Sequence, residues 1–279
     1  MESLTLRLLP RSVPFFVLRR VAIWAMFHAL CIPSSASADE APAMSAESAP
    51  SSTWGLGVAD ANTQKAYKDI DRKNRVVPIL FLDNRYVRVF GPRAEIKLPS
   101  LDIGAQKLEF GLLARYENDG YKSGDAPILA GMADRKGGFW LGGKATWQND
   151  IVDVSAEVLA DASGHSKSQR ATLELERTMH FGPQFMVTPR LSTTWLSSKY
   201  VDYYYGVRSS EAQADRPEYS GKATGIAEIG VRTIYRFHES HSLFMDISAT
   251  SLAKEIKNSP LVDRSIENRV LVGYMYRFQ

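Results

Sequence analysis

From Trp54 onward the dominant period of the sequence is two, sustained in segment after segment of about ten residues. The last segment shows it most clearly. Val270, Val272, Tyr274, Tyr276 and Phe278 share one face; Arg269, Leu271, Gly273, Met275 and Arg277 share the other. In 107–117, Leu108, Phe110, Leu112, Ala114 and Tyr116 oppose Lys107, Glu109, Gly111, Leu113, Arg115 and Glu117. In 138–148, Phe139, Leu141, Gly143, Ala145 and Trp147 oppose Trp140, Lys144, Thr146 and Gln148. Segments 151–161 and 222–237 repeat the pattern, with Val154 and Val158 against Ser155 and Glu157, and Ile229, Val231 and Tyr235 against Glu228, Arg232 and Arg236. One apolar and one polar face fit either a soluble sandwich or the wall of a membrane barrel. Two features favour the barrel: the polar face carries charge and small residues, as a wet lumen would, and the connections alternate in length.

The pattern predicts strands at 54–61, 75–82, 85–90, 93–98, 105–117, 138–149, 151–161, 169–180, 184–196, 222–237, 241–253 and 265–278. Connections on one side are short. Those on the other, 62–74, 118–137, 162–168, 197–221 and 254–264, are long, except for the tight Gly91-Pro92 turn. Short turns on one rim and long loops on the other are how outer-membrane barrels are built. The expectation is an all-β fold, a transmembrane antiparallel up-and-down β-barrel of about 12 strands, or ten if 85–98 is one bent strand. Trp147, Phe185, Phe237 and Phe278 would ring the periplasmic rim, and Tyr116, Phe139 and Trp195 the outer one, where amphipathic rings settle.

The N-terminus fits export. Residues 1–38 hold Arg7, Arg11, Arg19 and Arg20 against Glu2, which accounts for the whole net charge of +3. The apolar run Val21–Ile32 is shorter than the roughly 20 residues a spanning helix needs. Pro33 ends it, and Ser34-Ser35-Ala36-Ser37-Ala38 has the small-residue spacing of a cleavage site, so 1–38 reads as a signal peptide. Residues 39–53 read as a flexible periplasmic lead-in and 54–279 as the barrel. Cys31, the single cysteine, lies in the signal, so the mature chain would carry no disulfide, thiolate metal site or cysteine nucleophile.

Chemistry is sparse. The barrel portion is charge-balanced and offers no basic stripe for nucleic acid. Gly137-Gly138 and Gly142-Gly143 lack the context of a phosphate loop. His238 and His241 flank a turn without further ligands, and His165-Ser166 would need an oriented base and an oxyanion hole to act as a hydrolase. No catalytic, cofactor or metal residue is expected. The candidate functional residues are the lumen charges Glu109, Arg115, Lys144, Glu157, Glu174, Glu176, Arg190, Glu228, Arg232 and Arg277, either lining a solute path or paired into a network that fills the barrel. Tyr200, Tyr203, Tyr204 and Tyr205 form a second cluster, either a loop binding surface or the fold of the loop over the mouth. Loop 118–137, with Ile128-Leu129-Ala130, could pack against it as a lid.

The segment Thr194-Trp195-Leu196-Ser197-Ser198-Lys199-Tyr200-Val201-Asp202-Tyr203-Tyr204-Tyr205-Gly206-Val207 resembles the MipA/OmpV family of Gram-negative outer-membrane proteins, named for an MltA-interacting protein. Gly131-Met132-Ala133-Asp134-Arg135, Ser259-Pro260-Leu261-Val262 and Gly273-Tyr274-Met275-Tyr276-Arg277-Phe278 add to the match. The resemblance implies residence in the outer membrane. It also implies a non-enzymatic scaffold linking a murein lytic transglycosylase to a murein synthase. The rival readings are a small-solute channel, or a surface adhesin acting through loops 118–137 and 197–221. Partners would include outer-membrane lipid and the barrel assembly machinery, for which Gly273, Tyr276 and Phe278 form the assembly signal. Gln279 departs from the usual aromatic end.

Overall fold

A computed structural model describes residues 52–278 of the protein. The signal peptide, nearly all of the lead-in and Gln279 lie outside the described residues.

Each alternating segment becomes a strand. In chain order these are β1 (Thr53–Gln64), β2 (Lys73–Asp83), β3 (Val87–Phe90), β4 (Arg93–Lys97), β5 (Leu101–Ile103), β6 (Gln106–Glu117) and β7 (Gly138–Gln148). Then follow β8 (Asp153–Asp161), β9 (Gln169–Glu176), β10 (Met179–Phe181), β11 (Phe185–Leu196), β12 (Thr224–His238), β13 (His241–Ser251) and β14 (Ile266–Phe278). All pair antiparallel with sequence neighbours, and β14 returns to β1 in the register Trp54↔Phe278 through Gln64↔Asn268. The ring closes, which leaves the wall no terminal edge, as hydrocarbon demands. The segments form a barrel of 12 strands, because β4 and β5 run in line along β6, and β9 and β10 in line along β11.

The two breaks have different origins. Between β9 and β10, the Arg177 amide donates to the carbonyl of Pro189 at 3.3 Å. Pro189 has no N–H to return, so the ladder loses a rung where 169–180 was expected to be continuous. Between β4 and β5 stands Pro99, and the strand resumes inside the expected 99–104 connection.

The alternation sets the faces as expected. Leu112, Phe139, Leu141, Val158, Ile229 and Val272 are exposed on the outside of the wall, toward lipid, while Leu113, Trp140, Glu157 and Leu159 are buried inside. Trp147, Phe185 and Phe237 lie exposed toward one rim, and Tyr116, Phe139 and Trp195 toward the other. At the closing seam Phe278 stacks on Trp54, ring centroids 3.8 Å apart.

The long loops are not strand-like, and they contain elements the period of two could not announce. These are α1 (Ser198–Tyr205), α2 (Lys254–Lys257) and 3₁₀ turns at Pro127–Leu129 and Ser209–Glu211. They build the largest apolar core of the protein, outside the wall itself. Leu129, Val201, Ile256 and Leu261 are wholly buried there, joined by Ala66, Tyr67, Tyr121, Ile128, Tyr204, Tyr205 and Leu252. Each Leu, Ile or Val among them contributes on the order of 1.5–3 kcal/mol by leaving water. Four loops, 62–74, 118–137, 197–221 and 254–264, thus condense into one cap over the outer mouth.

Candidate functional site

Two groups of charges meet inside the barrel. In the first, Glu157 of β8 accepts from Arg115 of β6 at 2.6 Å and from Arg93 of β4 at 3.0 Å. Arg115 also reaches Glu117 at 3.3 Å, and Glu117 is held by Arg170 of β9 at 2.7 Å. Arg170 in turn lies 4.5 Å from the ring centroid of Trp140. In the second, Asp246 of β13 is the hub. Arg190 of β11 donates to both its oxygens, at 2.6 and 2.8 Å, and Arg232 and Arg269 approach at 3.2 and 3.4 Å. Glu228 accepts from Arg190 at 3.5 Å and from Thr250 at 2.9 Å.

The other lumen candidates are placed singly. Glu109 pairs with Lys107 at 2.8 Å at the periplasmic end of β6. Lys144, Glu174 and Glu176 line the central cavity, and Arg277 lies 5.5 Å from the ring centroid of Phe81. Asp246, Arg93 and Arg269 belong to these groups without being among the candidates expected from the sequence. Asp246 was legible: in His241–Ser251, Ser242, Asp246, Ser248 and Thr250 alternate with Leu243, Met245, Ile247 and Ala249.

These groups do not fill the barrel. A cavity of about 1360 Å³ runs from the cap, at Lys65, Asp119 and Arg135, to Glu176 and Arg277 near the periplasmic end. Its lining carries more Lys and Arg than Asp and Glu. It also carries an apolar patch, with Val77, Phe81, Ile234 and Leu271 packed around buried Ala59, Ile79, Phe244 and Met275.

The tyrosine cluster lies on α1 and forms part of the cap core. Tyr204 and Tyr205 are buried, and Tyr67 donates to the Tyr204 carbonyl at 3.0 Å while its ring stacks on Tyr205. Tyr203 accepts from the Lys136 amide at 2.9 Å, and Tyr200 rests on Trp140 and Tyr204. The four tyrosines thus build the cap, and Ile128 and Leu129 of loop 118–137 join them. Burial pushes the Tyr121 hydroxyl up to about 12.

Two buried arginines, Arg135 and Arg216, lock this core. Arg135 holds Glu211 through Nη1 at 3.1 Å and Nη2 at 2.8 Å. Burial would raise the Glu211 carboxyl. Arg135 and the amides of Ala133 and Arg208 outweigh it and hold the pKa at about 2. Arg216, 1% exposed, donates to the carbonyls of Glu211, Ile128 and Ala130. Lys65 pairs with Asp119 at 2.7 Å, which holds the Asp119 carboxyl down against the opposing effect of burial.

The remaining candidates are not arranged for catalysis. His165 Nδ1 lies 2.8 Å from the Gly137 carbonyl oxygen, and the Ser166 hydroxyl is 2.8 Å from Asp161. His241 Nδ1 lies 2.6 Å from the Tyr274 hydroxyl. Tyr276 and Phe278 pack edge to face on the outer seam, while Gly273 faces the lumen beneath Phe244.

The chain is similar in sequence to several proteins named for the outer membrane. YiaT of Escherichia coli O157:H7, named as an outer-membrane protein, is 24% identical over 83% of this chain and 93% of its own. The outer-membrane protein OmpV of Vibrio cholerae is 27% identical over 55% of this chain and 58% of its own. The MltA-interacting protein of Escherichia coli K12 is 29% identical over 33% of this chain and 38% of its own. Among solved structures, the NanC porin covers 79% of this chain and 98% of its own, at 9% identity and a TM-score of 0.42. The family model described as MltA-interacting protein MipA matches residues 55–278, and the chain belongs to that family of outer-membrane β-barrel proteins.

Proposed function

We propose that this barrel is a non-enzymatic small-solute channel that favours anions and whose outer mouth is narrowed by the loop cap. The observation that carries this is the cavity of about 1360 Å³ extending from the cap to Arg277 and Glu176, beside charges that would otherwise fill a narrow lumen. A barrel of 12 strands lies between those filled by side chains and those with wide aqueous channels. The excess of guanidinium and ammonium groups on the lining lowers the cost of an anion leaving water. Single-channel recording of the refolded barrel in a planar bilayer tests the reading. Discrete conductance steps with an anion-selective reversal potential are expected; a silent bilayer with a heat-modifiable, folded barrel refutes it.

A second reading, the scaffold, draws on the relative named MltA-interacting protein and on one feature of the periplasmic rim. Among the described residues β5 pairs only with β6 and β10 only with β11, so each leaves an open edge, and Leu101, Ile103 and Phe181 are exposed on these ribbons. Open edges invite strand addition by a partner. A murein lytic transglycosylase or murein synthase that co-purifies with the wild type, but not with Ile103→Asp or Phe181→Asp, supports this reading. Equal recovery with both variants counts against it.

A further inference from the structure

The wall of the barrel is not equally high all round. The tip of the β3–β4 hairpin, Gly91-Pro92, stops beside Leu80 of β2, where the Gly91 amide donates to the Leu80 carbonyl at 2.9 Å. β2 runs on to Lys73, roughly 23 Å of further strand at 3.3 Å per residue. Among the described residues no strand pairs with Lys73–Leu80 on that side. Hydrogen-bonding direction alternates along a strand, so Pro78 and Val76, which share the direction of the Leu80 carbonyl bonded to Gly91, present their backbone to the gap. Pro78 has no N–H to leave unsatisfied there, which is where an unpaired edge tolerates proline. Val76 is 70% exposed, and a Cβ built on Gly91 would meet nothing within 4 Å. The notch therefore has β2 as its post and the hairpin tip as its sill. Loop 118–137 is its lintel, tied to β2 by Lys73–Asp125 at 2.8 Å and by the Asn118 side-chain oxygen, which accepts from Arg75.

Behind the notch lies the apolar patch. Phe90 of the hairpin meets Phe244 edge to face at 6.2 Å, Phe81 is opposite Phe90 in register, and Met275 is buried beside them. Next to this patch Arg277 faces Phe81, and the Nε atoms of Arg277 and Arg236 are buried without a hydrogen-bond partner. Apolar surface and unsatisfied guanidinium donors, side by side, match a molecule with an apolar body and an acidic head. The sill and the patch line one and the same cavity.

The geometry points to a lateral portal: an amphipathic anion passes between the outer leaflet and the lumen through the notch between β2 and the β3–β4 hairpin, its body on Phe81, Phe90 and Phe244 and its head toward Arg277, which lines the same cavity. This extends the channel reading from aqueous ions to membrane-partitioned solutes.

The test uses single-cysteine variants of the mature barrel, which has no cysteine of its own beyond the signal region. Val76→Cys places a thiol at the notch. Val58→Cys places one on the lipid face of β1, directly opposite Pro78 in register and 47% exposed. Both are folded into albumin-loaded vesicles and only then labelled with a bulky maleimide, so the label cannot impair folding. The probe is a pyrene-labelled alkyl sulfonate, permanently charged and thus slow to cross lipid unaided; its transfer to albumin is followed by fluorescence. Labelling the Val76→Cys variant is expected to reduce transfer to the rate of protein-free vesicles, while labelling the Val58→Cys variant leaves it at the wild-type rate. Unchanged transfer in the labelled notch variant, or equal loss in both labelled variants, overturns the portal. Chloride conductance of the same preparations separates the two readings. Conductance that persists while transfer ignores the notch label leaves the channel standing without the portal. Absence of both transport activities in the unlabelled wild type removes the channel reading and the portal with it.

Discussion

The ring of Phe244 occupies the space in which Gly273 would carry a side chain: a methyl group on Gly273 would lie 2.3 Å from Cζ, 2.7 Å from Cε1 and 2.8 Å from the Cβ of Ala59. The glycine of the C-terminal strand therefore makes room for an aromatic ring inside the lumen. Gly273→Ala is expected to destabilise the barrel by about 1–3 kcal/mol, the usual cost of overpacking. Phe244→Ala removes the two closest contacts and leaves only that with Ala59, so the double variant should unfold in urea at a midpoint above that implied by adding the two single losses. Additive losses would mean that Gly273 acts elsewhere, for example in assembly.

Asp246 is the only acid within ion-pair distance of Arg190, Arg232 and Arg269 at once among the described residues, and it is 3% exposed. Asp246→Asn keeps its shape and removes its charge, leaving buried Arg190 with only the longer contact to Glu228. A loss of about 3–5 kcal/mol is expected from an uncompensated buried charge. In bilayers the same change should move the reversal potential further toward anion selectivity. A variant with unchanged urea midpoint and selectivity would show that the cluster governs neither.

The Arg135–Glu211 pair gives the cap a pH dependence whose sign is fixed. The folded-state pKa of Glu211, about 2, lies below its ordinary 4.5. The stabilisation is therefore fully present above about pH 4.5 and is lost as the pH falls through about 2; the shift corresponds to roughly 3 kcal/mol. Amide protection factors in 118–137 and 197–223, taken relative to intrinsic exchange at the same pH, should be high at pH 7 and 5 and fall between pH 4.5 and 2, while those of the strands stay high. Glu211→Gln should exchange fast in these loops at pH 7. Equal protection of variant and wild type at pH 7 would remove the pair from the account of cap stability.

The wall was legible in the sequence because a period of two fixes both strand and face: one parity goes to lipid, the other to the lumen, and a one-residue error would bury every charge in hydrocarbon. The cap was less so. α1 holds eight residues of a tyrosine-rich run whose place is decided by Tyr67, Trp140 and Leu129, far away in sequence. The lumen was half legible. Parity placed Arg115, Glu157, Arg190 and Arg232, but partners depend on register across several strands, so Asp246 as hub could not be read from alternation. Phe244, Phe81 and Phe90 carry apolar rings on the lumen parity, a departure from the pattern whose meaning appears only when the register brings them together. Pro78 was similar, a residue at odds with a central strand whose meaning appears only once the hairpin beside it is seen to stop at Leu80.

Segment 208–218 belongs to the cap. It takes no part in the wall, yet it supplies Glu211 to Arg135 and sends Arg216 into the carbonyls of Ile128 and Ala130. Its removal should strand Arg135 in the cap core, and a buried cation without its partner is costly enough to loosen the packing around Leu129 and Tyr204. The barrel should nevertheless close, since the register of β14 with β1 uses none of these residues. Deletion of 208–218 is therefore expected to raise single-channel conductance while the heat-dependent shift of the folded barrel on gels is retained. If conductance is unchanged in a folded deletion variant, the resistance lies deeper in the lumen, at the Glu157 and Asp246 clusters, and the cap is not the barrier.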